Sequence, residues 1–240
     1  MNTLVKFRKL LVALTLVLNV VLISSAQICP DSRILFNTFK ITGDSMTGTC
    51  FRISDGRKNM IVTARHLFKK HKSGDIVRYL FDKEAKTVTG KIYLSDNPKV
   101  DVALLEFNLD YKFEIMSHVV EGSYTLGQDC FFIGYPLNGK YHTMFENKNV
   151  GLIKKAIISG AITEDGVSKI YLDGHNINGF SGSPIIAIDK KTNDFIIVGV
   201  ISSFIGENIQ IRDTLYPINL GIINAVSAEH IGDLWKIAKK

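Results

Sequence analysis

Short apolar runs rich in β-branched and aromatic residues, each closed by a turn signal, recur through most of this chain. They constrain the fold more than any other feature does. In the first half they lie at residues 49–53, 59–63, 75–81 and 100–107, and in the second at 130–133, 150–158, 169–172, 184–188 and 195–203. Ser54-Asp55-Gly56-Arg57 separates the first two, and residues 189–194 join the last two as a hairpin loop would. Runs of this kind, bounded by Gly, Asp and Asn, read as strands. Many short strands without alternating helices predict an all-β sandwich or barrel.

Only two helices are expected, a short one over residues 64–70 and a longer one over about 224–238. In the second, Val226, Ile231, Leu234, Trp235 and Ile237 line one side, a stripe suited to packing against the final barrel. Patterning weakens between Asn108 and Leu126, which divides the chain into units of about 40–110 and 124–222. The seam between two such units is a natural place for a cleft. With 46% hydrophobic and 22% charged residues, the 240-residue chain has enough apolar material for real cores.

The first 26 residues have a different character. Lys6, Arg8 and Lys9 are followed by a nearly unbroken apolar run from Leu10 to Ile23, then by Ser24-Ser25-Ala26. A basic start, an apolar centre and small residues before a cut make the three-part pattern of a secretory signal peptide, here 1–26. The alternative is an uncleaved anchor, but 14 residues fall short of the about 20 a membrane span requires. The expectation is an exported chain, residues 27–240, with no stable membrane span after cleavage. Removing three bases leaves 26 Lys+Arg against 23 Asp+Glu, a net charge of +3. That is far from the dense basic stripe of a nucleic-acid binder.

Export leaves three cysteines, Cys29, Cys50 and Cys130, which allow one bridge at most. Cys50 sits inside an apolar strand pattern, so Cys29 with Cys130 is the expected pair. Stability must then come mainly from a packed core.

Three motifs carry chemistry, each at the edge of a β-type run: Thr63-Ala64-Arg65-His66, Asp101-Val102-Ala103-Leu104-Leu105 and Gly179-Phe180-Ser181-Gly182-Ser183-Pro184. They supply an imidazole, a carboxylate and a hydroxyl, the groups that acyl transfer by a serine nucleophile needs. A carboxylate at the lip of an apolar run is costly to bury unpaired, and an imidazole N–H is a suitable partner for Asp101. Gly179 and Gly182 permit a tight turn in which the Gly179 and Ser181 N–H groups converge on one spot, as an oxyanion hole requires. No metal site is expected: His66 and His71 stand five apart, which does not put them on one helix face.

Together these motifs resemble the active-site motifs of the trypsin-like, chymotrypsin-fold serine peptidases, in the compact Deg/HtrA-like bacterial branch. The separations, 35 residues from His66 to Asp101 and 80 from Asp101 to Ser181, fit that branch. The likeness extends to Gly48-Thr49-Cys50-Phe51, Ile133-Gly134-Tyr135-Pro136 and Val198-Gly199-Val200-Ile201-Ser202. It implies two six-stranded antiparallel Greek-key β-barrels with a C-terminal helix, no cofactor, and a polypeptide substrate. It also implies that Ser202, Ser203 and Phe204 form an edge pairing with substrate backbone, and that Ser202 bonds Asp101. A specificity pocket should involve His175, Asn176, Ser203 and Phe204.

The chain departs from the animal digestive members at Phe180, where they carry an aspartate that pairs with a newly cut N-terminus. It also has no acidic residue at the expected pocket positions, and His175 there suits an acidic substrate side chain. An α/β-hydrolase is disfavoured, since it needs G-x-S-x-G and the order Ser, Asp, His. The rival from another class is a catalytically silent member of the same fold that binds peptides or proteins. Oligomeric state is left open.

Overall fold

The computed structural model describes Arg8 and residues 32–81, 86–107, 124–211 and 214–239. The chain divides into two compact units, Met1–Pro30 and Asp31–Lys240. Of the first, only Arg8 is described, so the expected leader and Cys29 lie outside the described residues. The second unit is built almost entirely from strands, as the run-and-turn pattern predicts.

A short helix α1 (Ser32–Phe36) precedes β1 (Thr38–Thr42), β2 (Thr47–Ser54), β3 (Asn59–Thr63), β4 (Ile76–Phe81), β5 (Lys86–Leu94) and β6 (Ala103–Glu106). These close into a barrel of order β1-β2-β3-β6-β5-β4. The rest of the unit runs through β7 (Asp129–Gly134), a small hairpin of β8 (Thr143–Phe145) and β9 (Lys148–Val150), then β10 (Leu152–Glu164), β11 (Val167–Asp173), β12 (Pro184–Ile188), β13 (Phe195–Ile211) and β14 (Thr214–Ser227). Its barrel, β7-β10-β11-β14-β13-β12, repeats the first barrel's order once β8 and β9 are set aside. Every pairing is antiparallel. The fold is therefore the two-barrel all-β architecture expected.

Alternation within the strands creates three cores. Ile41, Cys50, Ile61, Tyr79, Phe81, Ile92 and Leu105 fill the first barrel. Phe132, Ile158, Ile170, Leu172, Phe180 and Ile201 fill the second. The opposite faces of several of the same strands, bearing Phe51, Met60, Val62, Leu104, Ile133, Ile186, Val200 and Val226, form a third cluster. Strands buried on both faces read as continuous apolar runs, which is why 59–63 shows no clean polar alternation.

The ends of the helices differ from expectation. After Thr63 there is a 3₁₀ turn, Arg65–Phe68, rather than a helix over 64–70. The C-terminal helix α2 is Glu229–Ala238, because residues 224–227 complete β14. Its buried stripe, Ile231, Leu234 and Ala238, joins the cluster containing Ile53, Met60 and Tyr93 of the first barrel. Lys58 Nζ also donates to the Ala238 carbonyl at 2.7 Å. The helix thus packs on β5 and β6 of the first barrel as well as on β14 of the final one, in a cluster that also holds Ile186, Ile197 and Val200.

Cys130 corrects a further expectation. Its thiol is free and its side chain points into the second barrel, so it makes no bridge to Cys29. Burial, helped by Asp129, pushes the thiol up to about 12, and it behaves as a small apolar core group. Among the described residues no helix is long and apolar enough to cross a membrane.

Candidate functional site

His66 lies at the start of the 3₁₀ turn that caps β3, with Leu67 and Phe68 buried beneath it. Asp101 precedes β6 between buried Val100 and Val102. Arg65 anchors the loop before Asp101, donating to the carbonyls of Ser95 at 2.8 Å and Asn97 at 3.2 Å. These apolar flanks leave the Asp101 carboxylate little water, and the protein supplies donors instead. Asp101 Oδ1 accepts the His66 backbone N–H at 2.8 Å, and Oδ2 accepts His66 Nδ1 at 2.8 Å and Ser202 Oγ at 2.5 Å. A carboxylate only accepts, so the proton sits on Nδ1 and the lone pair on Nε2. In a neutral ring the unprotonated nitrogen is thus the one turned away from the carboxylate.

Ser181 comes from the loop between β11 and β12. Phe180 pins this loop into the second barrel, edge-to-face on Phe132 at 5.1 Å. Backbone bonds hold the other side: Thr49 N–H donates to Ser181 O at 2.8 Å, Gly182 N–H to Ile201 O at 2.8 Å, and Ile201 N–H to Ser183 O at 2.9 Å. Gly182 has φ +87°, and a Cβ there would lie 2.0 Å from Thr49 O, 2.5 Å from Thr63 Oγ1 and 2.9 Å from Ala64 N. Only glycine lets the loop seat against the strand ends that carry His66.

The Ser181 hydroxyl donates to the Ser202 carbonyl at 3.3 Å, long for an O–H···O bond. It makes no hydrogen bond to His66 among the described residues. Ser181, Ser202, Asp101 and His66 are nonetheless linked in sequence by three hydrogen bonds. Catalytic contacts are often loose in an unliganded site.

The turn at Gly179 has a defined polarity. Asn178 O accepts the Leu137 N–H at 2.8 Å, and the peptide plane then aims the Gly179 N–H the opposite way. Thr49 Oγ1 donates to Gly179 O at 2.7 Å, and Phe180 O accepts Ser183 N–H at 2.9 Å, which orients the Ser181 N–H likewise. Neither Gly179 N–H nor Ser181 N–H has an acceptor among the described residues. Two unpaired donors beside a hydroxyl are what a developing oxyanion needs.

The expected pocket residues divide. The Asn176 side chain is buried and donates to Ser203 O at 3.4 Å, while the Asn176 main-chain carbonyl accepts Asn219 Nδ2 at 2.8 Å. Ser203 Oγ accepts Asn224 Nδ2 at 3.1 Å. Ser203 and Phe204 are exposed on β13. His175 also is exposed; its imidazole bonds nothing among the described residues, and its carbonyl accepts the Lys154 ammonium. Asn176 Oδ1 and Asn224 Oδ1 are buried without partners among the described residues, two acceptors next to this segment. Among the described residues no group of three His, Cys, Asp or Glu side chains could hold a metal.

Sequence reasoning missed Leu137, Thr49 and Asn219. Thr49 had a signal, since it lies in the Gly48-Thr49-Cys50-Phe51 segment; the other two act through backbone or amide bonds that no motif encodes.

A family model described as a trypsin-like peptidase domain matches residues 48–196. No protein of curated function matches the chain in sequence. Among solved structures, the chain is similar to the inactive form of the Rv3671c protease, at 18% identity, covering 85% of this chain and 89% of that one, with a TM-score of 0.55. The active form of the Rv3671c protease from M. tuberculosis gives 17% identity, 85% and 81% coverage, and 0.56. The serine endoprotease from Yersinia pestis gives 14% identity, 88% and 67% coverage, and 0.57. At these identities the likeness concerns the fold.

Proposed function

The chain belongs to the trypsin-like peptidase family, and from that premise we propose that it is an exported serine endopeptidase working through an acyl-enzyme on Ser181. The observation that carries this reading is the Asp101 carboxylate with its three donors, two of them from His66. That arrangement fixes the tautomer in which Nε2 accepts a proton.

In the proposed cycle His66 Nε2 takes the Ser181 hydroxyl proton as Oγ attacks the scissile carbonyl carbon. The resulting oxyanion receives the Gly179 and Ser181 N–H groups. His66 then passes its proton to the departing amine as the C–N bond breaks, leaving an ester on Ser181. Water attacks that ester with His66 again as base, and the acid product and free Ser181 are restored. Asp101 stabilises the imidazolium in both steps without itself taking the proton. Ser202, Ser203 and Phe204 line the substrate strand, and Asn176 and His175 belong to the pocket segment. No cofactor enters the cycle.

Incubating the purified protein with β-casein tests this. Fragments from internal cuts, absent with Ser181→Ala, are expected; an intact substrate overturns the endopeptidase reading. A silent peptide-binding module is the second reading, favoured by the Ser181 hydroxyl resting on Ser202 O rather than on His66. Export rests on the pattern of residues 1–26 and is tested by N-terminal sequencing of protein recovered outside the cytoplasm, which should start at Gln27.

A further inference from the structure

β13 and β14 continue well past the barrel. On one side of β13, β12 stops at Pro184↔Val200; on the far side of β14, β11 stops at Asp173↔Ile222. Beyond these, among the described residues, the strand pairing of 206–211 and 214–219 is with each other, from Gly206↔Asn219 to Ile211↔Thr214. They form a two-stranded ribbon about 20 Å long at about 3.3 Å per residue. Such a ribbon is marginal by itself and is worth keeping only if something uses it.

The ribbon has two unlike faces. Ile205, Glu207 and Ile209 alternate onto one, with Tyr216 opposite Ile209 and Ile218 opposite Glu207. Gly206, Asn208 and Gln210 take the other. The apolar face is bare: Ile205 is 37% exposed, Ile209 38% and Tyr216 49%. The ribbon's base is fastened to the pocket segment, through Asn219 Nδ2 to Asn176 O at 2.8 Å and Gly174 N–H to Gly221 O at 2.9 Å.

Its open edge leads to Ser181. The last bonds on the β12 side of β13 are Gly182 N–H to Ile201 O and Ile201 N–H to Ser183 O; the next group, Ser202 O, meets the Ser181 hydroxyl. From Ser202 onward that edge of β13 has no strand partner among the described residues. A strand laid on it antiparallel, like every other pair in the barrel, runs toward Ser181 from its own N-terminal side. The residues before its scissile bond then lie along 203–211.

We propose that this ribbon is an extended substrate-binding edge, so that the preferred substrate is a polypeptide with a long, extended stretch N-terminal to the cut. About six residues beyond the three nearest the scissile bond would add to β13 as a further strand. Those beside Ile205 and Ile209 are apolar, and the one beside Glu207 is not acidic. This inference rests on the peptidase reading above, whose site it lengthens. The occupant is the substrate because the edge is continuous with the strand that bonds Ser181.

The experiment is a series of peptidyl diphenyl phosphonates sharing the most reactive P1 residue and carrying one, three or nine residues, the added ones alternating Ile and Ser. The rate of Ser181 modification is measured for the wild type, for a chain in which residues 207–218 are replaced by Asn-Gly, and for Ile209→Lys. Asn-Gly closes a two-residue hairpin between Gly206 and Asn219. We expect the wild type to gain about tenfold or more from three residues to nine, the return on a few extra ladder bonds and on apolar side chains packed beside Ile205 and Ile209. Both variants should lose that gain while keeping the wild-type rate with a small fluorophosphonate. A wild type indifferent to length, or variants that keep the gain, overturns the proposal. So does a length-independent rate accompanied by dimers that the shortened ribbon abolishes, which would make the edge a contact between copies. If the shortened chain misfolds and loses fluorophosphonate labelling, Ile209→Lys decides. Failure of the wild type to label with fluorophosphonate sinks the peptidase reading instead.

Discussion

Asp101 and His66 are fixed through one carboxylate side chain, which takes two side-chain donors and the His66 main-chain N–H, all within 2.8 Å. The Ser181 loop is fixed by backbone: main-chain bonds with Thr49, Leu137 and Ile201, a buried Phe180, and a glycine whose missing Cβ makes room for Thr49 and Ala64. The first half of the site should therefore forgive backbone neighbours and punish side-chain changes, and the second half the reverse. The contrast matches the chemistry proposed for each. A base must keep one tautomer, whereas an oxyanion site must keep two N–H groups aimed while the hydroxyl between them stays loosely held.

The largest effect expected from this contrast is on folding. Gly182→Ala forces a Cβ into backbone atoms at a positive φ, and the loss of stability should reach about 4 kcal/mol or more. Urea denaturation measures it; a variant as stable as the wild type would show that steric fit does not hold the loop. Asp101→Asn comes next. The fold should survive, and the cleavage rate should fall about 10⁴-fold, because an amide can donate to Nδ1 and strand the wrong tautomer. Ser202→Ala removes one bond to a charged acceptor, worth about 1.5–3 kcal/mol, so a fall of about 10- to 100-fold is expected. Steady-state rates on one peptide rank the two, and a Ser202→Ala loss as deep as that of Asp101→Asn would merge what is here kept apart.

The smallest effect lies outside the site. Burial alone would raise the Glu106 carboxyl, but the Tyr93 hydroxyl and the Lys58 ammonium hold it below the usual range. Tyr93, desolvated and facing Glu106, is pushed up to about 12. A carboxyl with a depressed folded pKa stabilises the fold above its unfolded pKa, and that contribution is lost as pH falls through the folded one. Lys58 also grips the end of α2. Wild type should therefore lose more melting temperature than Glu106→Gln between about pH 5 and pH 3. Parallel curves would mean the cluster contributes nothing.

Much of this was readable from residues. The strand runs are legible because core-facing alternation and turn chemistry are local signals, and the three motifs because each stands at the edge of such a run. β14 escaped because Pro217 and Asn219 interrupt its pattern, and because its outer half faces water on both sides. The end of β13 escaped for the same reason: without a core, residues 204–211 have no burial period to display. Residues 224–227 carry apolar groups at spacings that suit a helix as well as a strand, and the pairing with β11 and β13 decides for strand. Cys130 misled because a buried thiol and a bridged one look alike in sequence. The aim of the Gly179 N–H could not be foreseen either, since it depends on a bond from Leu137 across 41 positions.

The most direct test of the central claim is fluorophosphonate labelling of the purified protein, located by mass spectrometry, beside Ser181→Ala. One adduct per chain, on Ser181 and absent from the variant, is the predicted result. A folded protein that takes up no label at Ser181 would contradict an activated nucleophile and leave the fold as a binding module.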